Sequence, residues 1–163
     1  MSIDRIPLPI DRGSLWLCAR RDVAADPDAA LAWADAHAIA CLLPIDELET
    51  HAAGYLDWLR EHRAGRALWF PVSNYGAPPA SAAIPFLRMI EARLLAGEGV
   101  VMHCAAGQGR AGTMAVAVLL LLGVPREEAL LTVRSHRAFA GPGNASQVNF
   151  VLDLEATLAR GET

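Results

Sequence analysis

At 163 residues, 53% hydrophobic and 20% charged, the chain is long enough to bury a real core and reads as soluble and globular. A net charge of −4 argues against nucleic acid or an acidic membrane held by bulk electrostatics. Every strong cation is an arginine, and the Ala-, Leu- and Gly-rich composition points to a GC-rich bacterial source. The opening residues lack a charged-then-apolar signal pattern. The longest apolar run, about Ala111 to Val124, is shorter than the roughly 20 residues that span a bilayer. Three widely spaced cysteines form neither a disulfide framework nor a zinc site. A reduced cytoplasmic setting is expected, with residues 1–163 as a single domain because no repeat or linker divides them.

In chain order, Ser14 to Cys18 reads as a first strand. Asp26 and Pro27 supply an N-cap and a first-position proline for a helix through about His37. Ala38 to Leu43 is a short apolar run fit for a buried strand. Glu47 to Arg63 has helical spacing (Leu48, Tyr55, Leu56, Leu59) and ends at Gly65. Ala67 to Pro71 is a further strand, followed by a loop marked by Asn74, Gly76, Pro78 and Pro79. A helix over about Ser81 to Ala96 leads to the strand Gly99 to Met102, and a core helix runs from Gly112 to Leu122. Pro125 starts a helix through about Arg134. Asn144 with Gln147 resembles a capping box opening a last helix through Ala159. Trp16, Trp33, Trp58 and Trp69 fall at apolar-periodic positions and are assigned to the core. Alternating strands and helices imply an α/β domain with a largely parallel sheet, whose ligands gather at the strands' carboxyl ends.

That end of the last strand carries His103-Cys104-Ala105-Ala106-Gly107-Gln108-Gly109-Arg110. A cysteine and an arginine separated by five small residues, between strand and helix, suit a cup of backbone N–H groups that binds a phosphate dianion. The helix dipole and Arg110 add positive potential, which favours a thiolate and makes Cys104 a candidate nucleophile. The bland alternative is a buried small hydrophobe.

The stretch resembles the histidine-cysteine-five residues-arginine signature of the cysteine-dependent protein tyrosine and dual-specificity phosphatases. The resemblance covers most of the chain and is concentrated in residues 103–110 and 70–78. It implies a phosphatase-like fold: a central, mostly parallel sheet of four to five strands flanked by helices. It also implies hydrolysis of phosphate monoesters through a phosphocysteine at Cys104, without metal or organic cofactor. The amides of Ala105 to Arg110 and the Arg110 guanidinium would hold the phosphate, and His103 would order the cradle. The expected partner is a phosphorylated protein or small phosphate monoester, met by a bacterial-type monomer. No positive side chain lies between Cys104 and Arg110, which disfavours polyanionic lipid headgroups.

Two positions depart from the family pattern. The segment Phe70 to Pro78 is similar to the family's acid loop, but the usual aspartate falls on Asn74, whose amide is no proton donor. Losing a general acid costs about 10²- to 10⁴-fold in rate. Substrates with good leaving groups would tolerate this. Alternatively Asp46, Glu47 or Glu49 supplies the proton, or the chain is a weak or inactive phosphate-binding pseudophosphatase. Asp46 and Glu47 are equally explained as ordinary acids of a first helical turn. Ala111 takes the place of a frequent serine or threonine, and Thr113 lies about 200° further round the helix. Gln147 would orient a hydrolytic water or close the pocket, or serve only as the partner of Asn144. Tyr75 is placed at the pocket mouth. In several relatives a cysteine near Cys41 pairs reversibly with the nucleophile. A rhodanese-like sulfur transferase also carries a cysteine in an anion cradle, but its signature differs.

Overall fold

The computed structural model describes residues 2–63 and 65–161; the rest of the 1–163 span lies outside them. Among the described residues, five strands form one sheet: β1 (Ile3–Ile6), β2 (Ser14–Ala19), β3 (Ala38–Cys41), β4 (Ala67–Trp69) and β5 (Gly99–Cys104). Their order across the sheet is β1-β2-β5-β3-β4. β1 pairs antiparallel with β2, and the other neighbours are parallel. Among the described residues, eight helices surround the sheet: α1 (Arg20–Val23), α2 (Pro27–Ala34), α3 (Ile45–His51), α4 (Ala53–Glu61), α5 (Ala80–Leu95), α6 (Gly109–Leu121), α7 (Arg126–His136) and α8 (Ala145–Ala159). The architecture is the α/β fold expected from the alternating pattern. No helix of the described residues is long and apolar enough to cross a membrane.

β5 is the middle strand and is buried along its whole length, as a largely apolar run between two parallel neighbours requires. α6 follows it directly and is buried from Arg110 to Leu120, which explains why its sequence is apolar all round. It packs on β5 and β2 beneath α5, α7 and α8. Gly112 permits this, because a Cβ there would lie 2.1 Å from the Gly141 nitrogen.

Three expectations are corrected and one strand is added. The Glu47 to Arg63 helix is two helices, broken at Ala52 (φ −161°, ψ 52°) ahead of Gly54. The break lets α3 present Glu47 to the cradle while α4 places Tyr55 beneath it. The Asp26-capped helix stops at Ala34, because Asp35 adopts a left-handed conformation (φ 48°) that turns the chain into β3. The tryptophans are not core residues: Trp16, Trp58 and Trp69 are half-buried and Trp33 is 56% exposed. Indole N–H groups need partners, and those of Trp16 and Trp69 find Ser14 Oγ (3.0 Å) and the Leu43 carbonyl (2.7 Å) at the rim. β1 has no counterpart in the sequence reading; it is a four-residue edge strand with charged residues in its middle.

Candidate active site

The segment after β5 folds with its carbonyls turned outward and its amides turned inward. The Cys104 carbonyl accepts from His103 Nδ1 (3.1 Å), and the Ala105 carbonyl from the Arg20 amide (3.1 Å). Arg137 takes the next two, with Nη2 donating to Ala106 (3.0 Å) and Nε to Gly107 (2.7 Å). The Gln108 carbonyl accepts from the amides of Gly112 (2.7 Å) and Gly141 (3.3 Å). Among the described residues, none of the six amides from Ala105 to Arg110 donates to a protein group. Backbone N–H groups are nearly always paired, so six consecutive free donors make an anion nest. Gly107 makes the turn possible. It sits at φ 70°, and a Cβ there would lie 2.1 Å from the Cys18 carbonyl oxygen.

Cys104 sits at the bottom, 3% exposed, with its sulfur against the Arg110 guanidinium. Arg110 is nearly fully buried in the first turn of α6. Its Nη1 donates to Glu47 Oε1 (2.7 Å) and to the Val72 carbonyl (2.9 Å), and its Nη2 donates to Glu47 Oε2 (3.1 Å). Three of its five N–H groups are thus committed. Nε–H and the second Nη2–H remain on one edge, a fork that matches two oxygens of a phosphate. Burial works against the guanidinium charge, but Glu47 and Cys104 outweigh it and raise its pKa.

Glu47 was a candidate acid by sequence. Its carboxylate accepts from both Nη atoms of Arg110 and so orients the guanidinium. Asp46 beside it lines a cleft of about 490 Å³ with Arg20, His51, Asn74 and Ala105, adjoining the cradle, and no described side chain pairs with it. Glu49 lines neither that cleft nor the cradle cleft.

Above the cradle lies a cleft of about 420 Å³, lined by Cys104, Arg110, Asn74, Tyr75, Phe139 and Gln147 among others. Asn74 and Tyr75 are the central residues of a turn closed by the Gly76 amide on the Ser73 carbonyl (2.9 Å). Asn74 is exposed, and its Oδ1 accepts from the Tyr75 amide (3.1 Å). Tyr75 takes the left-handed conformation at φ 59°, as does Phe139 at φ 64°. These are strained positions for aromatic residues, and both rings stand at the mouth, 77% and 82% exposed. Tyr75 was expected there; Phe139 was not, since a positive φ leaves no mark in a stretch such as Ala138-Phe139-Ala140.

Gln147 does not complete a capping box. Asn144 Oδ1 accepts the Gln147 amide (3.1 Å), but Gln147 Oε1 reaches past Asn144 to the Gly143 amide (2.9 Å). Its Nε2 donates to the Gly76 carbonyl (3.4 Å), while Asn144 Nδ2 donates to the Tyr75 carbonyl (2.9 Å). Two amides of the α8 N-terminus therefore staple the 73–76 turn over the cradle. Ala111 is fully buried, and the Thr113 hydroxyl, buried without a partner, does not replace a hydroxyl there.

Sequence reasoning missed Arg137 as a site residue. It is mostly buried, and Asp4 Oδ2 on β1 holds its Nη1 at 2.5 Å, so the edge strand anchors the clamp that shapes the cradle. The signal was a lone arginine in Arg134-Ser-His-Arg137, and nothing in that spacing distinguishes it from its neighbour Arg134. Behind the cradle, Cys18 and Cys41 occupy the strands on either side of His103, in register with it. Burial raises the Cys18 thiol pKa, with Asp22 adding to it, and burial pushes Cys41 up to about 12. Both are therefore thiols rather than nucleophiles at neutral pH.

Residues 20–149 match the family described as the Swiss Army Knife protein DSP-PTPase phosphatase domain. No protein of curated function matches the chain in sequence. Among solved structures, Tk-PTP in its active form is 28% identical, with a TM-score of 0.68 over 90% of this chain and 93% of its own. Kinase-associated phosphatase, with its catalytic cysteine replaced by serine, reaches a TM-score of 0.77 at 19% identity, covering 98% and 96%. Human DUSP28 reaches 0.69 at 19% identity, covering 96% and 95%. The last two speak to the fold alone.

Proposed function

The chain belongs to the Swiss Army Knife family of DSP-PTPase phosphatase domains, and from that premise we propose that it hydrolyses phosphotyrosine-type or dual-specificity-type phosphate monoesters through a phosphocysteine. The observation that carries the proposal is the six free amides around Cys104 together with the free edge of Arg110. Donors aimed at the equatorial phosphate oxygens stabilise charge where it develops.

In the first step Cys104 Sγ attacks phosphorus, the S–P bond forms and the bond to the leaving oxygen breaks. In the second, water attacks phosphorus, the S–P bond breaks, and inorganic phosphate and the thiolate are released. Gln147 retains one Nε2 hydrogen beyond its bond to Gly76, enough to orient that water. Neither step needs a metal or organic cofactor. In this proposal the protein works as a cytoplasmic monomer on a phosphoprotein or a small monoester.

Proton delivery to the leaving oxygen is the weak point, because Asn74 stands where the family has its acid. Asp46 is the one carboxylate of the adjoining cleft not committed to Arg110. Turnover therefore favours substrates whose leaving groups need little protonation. The second reading, a phosphate-binding pseudophosphatase, rests on Asn74 alone. Aryl-phosphate hydrolysis and vanadate binding, measured for wild type and Cys104→Ser, separate the two. The enzyme reading predicts hydrolysis by wild type only and vanadate binding by both. If both bind vanadate and neither hydrolyses, the chain is a binding module.

A further inference from the structure

Arg20 opens α1 beside the cradle, where its backbone amide donates to the Ala105 carbonyl (3.1 Å). Its guanidinium has no hydrogen-bond, ion-pair or ring partner among the described residues. Arg12, Arg21 and Arg134 share that state, but all three are exposed, whereas Arg20 is half-buried. Holding a cation part-way out of water without a counter-charge is unfavourable, so a half-buried free guanidinium is a group that an incoming anion would complete.

The space around it has room for one. Arg20 lines the cleft of about 490 Å³ with Asp46, His51, Ser73, Asn74 and Ala105. Asn74 and Ala105 also line the cleft above Cys104, so the two spaces meet at the first residue of the cradle. A substrate with its phosphate in the cradle can therefore pass a substituent over Ala105 toward Arg20. Two carboxylates oppose an anion there, and neither cancels Arg20. Glu47 is committed to Arg110, and Asp46 is exposed, so water screens it. The field of Arg20 is carried through protein as far as the floor of the cradle: burial lowers the His103 pKa to about 4, and Arg20 adds to that lowering. Asn74 spends its side-chain oxygen on the Tyr75 amide and keeps its Nδ2 hydrogens, a further donor on the same wall. We infer that Arg20 is a specificity-determining residue, which binds a second anionic group of the substrate, a carboxylate carried close to the phosphate, in the cleft beside the cradle. A guanidinium suits this task because its fork takes both carboxylate oxygens. The stretch between Cys104 and Arg110 holds no cation, and Arg20 supplies from α1 what that stretch lacks.

The inference rests on the phosphatase reading for the phosphate in the cradle, and on Arg20 alone for the second group. The probes are 3-carboxyphenyl phosphate and its neutral amide, 3-carbamoylphenyl phosphate. The ratio of their kcat/KM values is compared between wild type and Arg20→Gln, so that differences in leaving group, and any loss common to both probes, cancel. The ratio should fall about tenfold in Arg20→Gln, the size of one charge-assisted hydrogen bond partly open to water, and Arg20→Lys should restore part of it. Phosphotyrosyl peptides with Glu or Gln beside the phosphotyrosine identify the source of the carboxylate. A Glu preference that Arg20→Gln removes places it on a protein side chain; a preference confined to the small probes places it on a small monoester. Ratios equal in wild type and Arg20→Gln for both pairs overturn the inference. Should the protein hydrolyse none of these, the ratio of affinities for Cys104→Ser, measured by calorimetry with and without Arg20→Gln, takes the place of kcat/KM. There a ratio that still falls upholds the subsite without the phosphatase reading, and an unchanged ratio overturns the subsite.

Discussion

The cradle and the loop that overhangs it are built to different standards. Each carbonyl from Cys104 to Gln108 has a named donor, and Arg110, Arg137 and His103 are all held by buried or mostly buried partners. The 73–76 turn is exposed, carries a tyrosine in a left-handed conformation, and is fastened by two amides from α8. One region is held from every side; the other is lightly held, with Asn74 at the position where the family resemblance implies an acid. On the proposed phosphatase reading, anion binding and nucleophilic attack rest on the packed half of the site, and leaving-group protonation on the lightly held half.

Gly107→Ala tests the rigid half most severely. Its Cβ must displace the Cys18 carbonyl, so vanadate affinity, measured by calorimetry, should fall by at least about 100-fold, whereas Asn74→Ala should leave it within about twofold. Equal losses in the two variants would erase the contrast between the regions.

Next in size is the acid sensitivity of the cradle's support. His103 is neutral in the folded state down to about pH 4 but charges near pH 6.5 when unfolded, so the unfolded chain binds the extra proton in between. Its contribution is complete above pH 6.5 and is lost as pH falls toward 4, on the order of 3 kcal/mol in all. Urea denaturation across that range should show this slope in wild type and not in His103→Gln.

Glu47→Gln keeps the shape of the Arg110 partner but removes its charge. An expected loss of about 10- to 100-fold in kcat/KM for an aryl phosphate checks that Glu47 orients Arg110. A change confined to the acidic limb of the pH profile would instead mark Glu47 as a proton donor.

The smallest effect should come from the lightly held half. Asn74→Asp restores a carboxyl at the loop and should raise kcat about tenfold for alkyl phosphates, with less change for aryl phosphates whose leaving groups are already good. No gain would mean that the loop does not bring position 74 to the leaving oxygen.

The rigid half was also the legible half. His103 to Arg110 declares itself because free amides, a left-handed glycine and a helix start must be contiguous in sequence. Four of the five strands among the described residues, and most helices, followed from apolar periodicity and from caps such as Asp26 and Asn144. What escaped was the second layer. Arg137 and Asp4 are 133 residues apart, and Tyr55 reaches His103 across 48. Such pairings are made by the fold and leave no local spacing to read. Glu47 looked like a first-turn acid because, in sequence, it is one; only the break at Ala52 and the approach of Arg110 give it another task. Trp33 misled for the opposite reason, since an apolar periodicity places a residue on a helix face without saying what covers that face.

The cradle is proposed to present Cys104 as a nucleophile toward bound phosphate, whatever the fate of the leaving-group proton. Rapid quenching of the enzyme with a fast-leaving aryl phosphate, followed by mass spectrometry of the peptide containing Cys104, tests it directly. One phosphoryl group is expected on Cys104 in wild type and none in Cys104→Ser. Vanadate binding with no phosphoryl adduct at any quench time would contradict it.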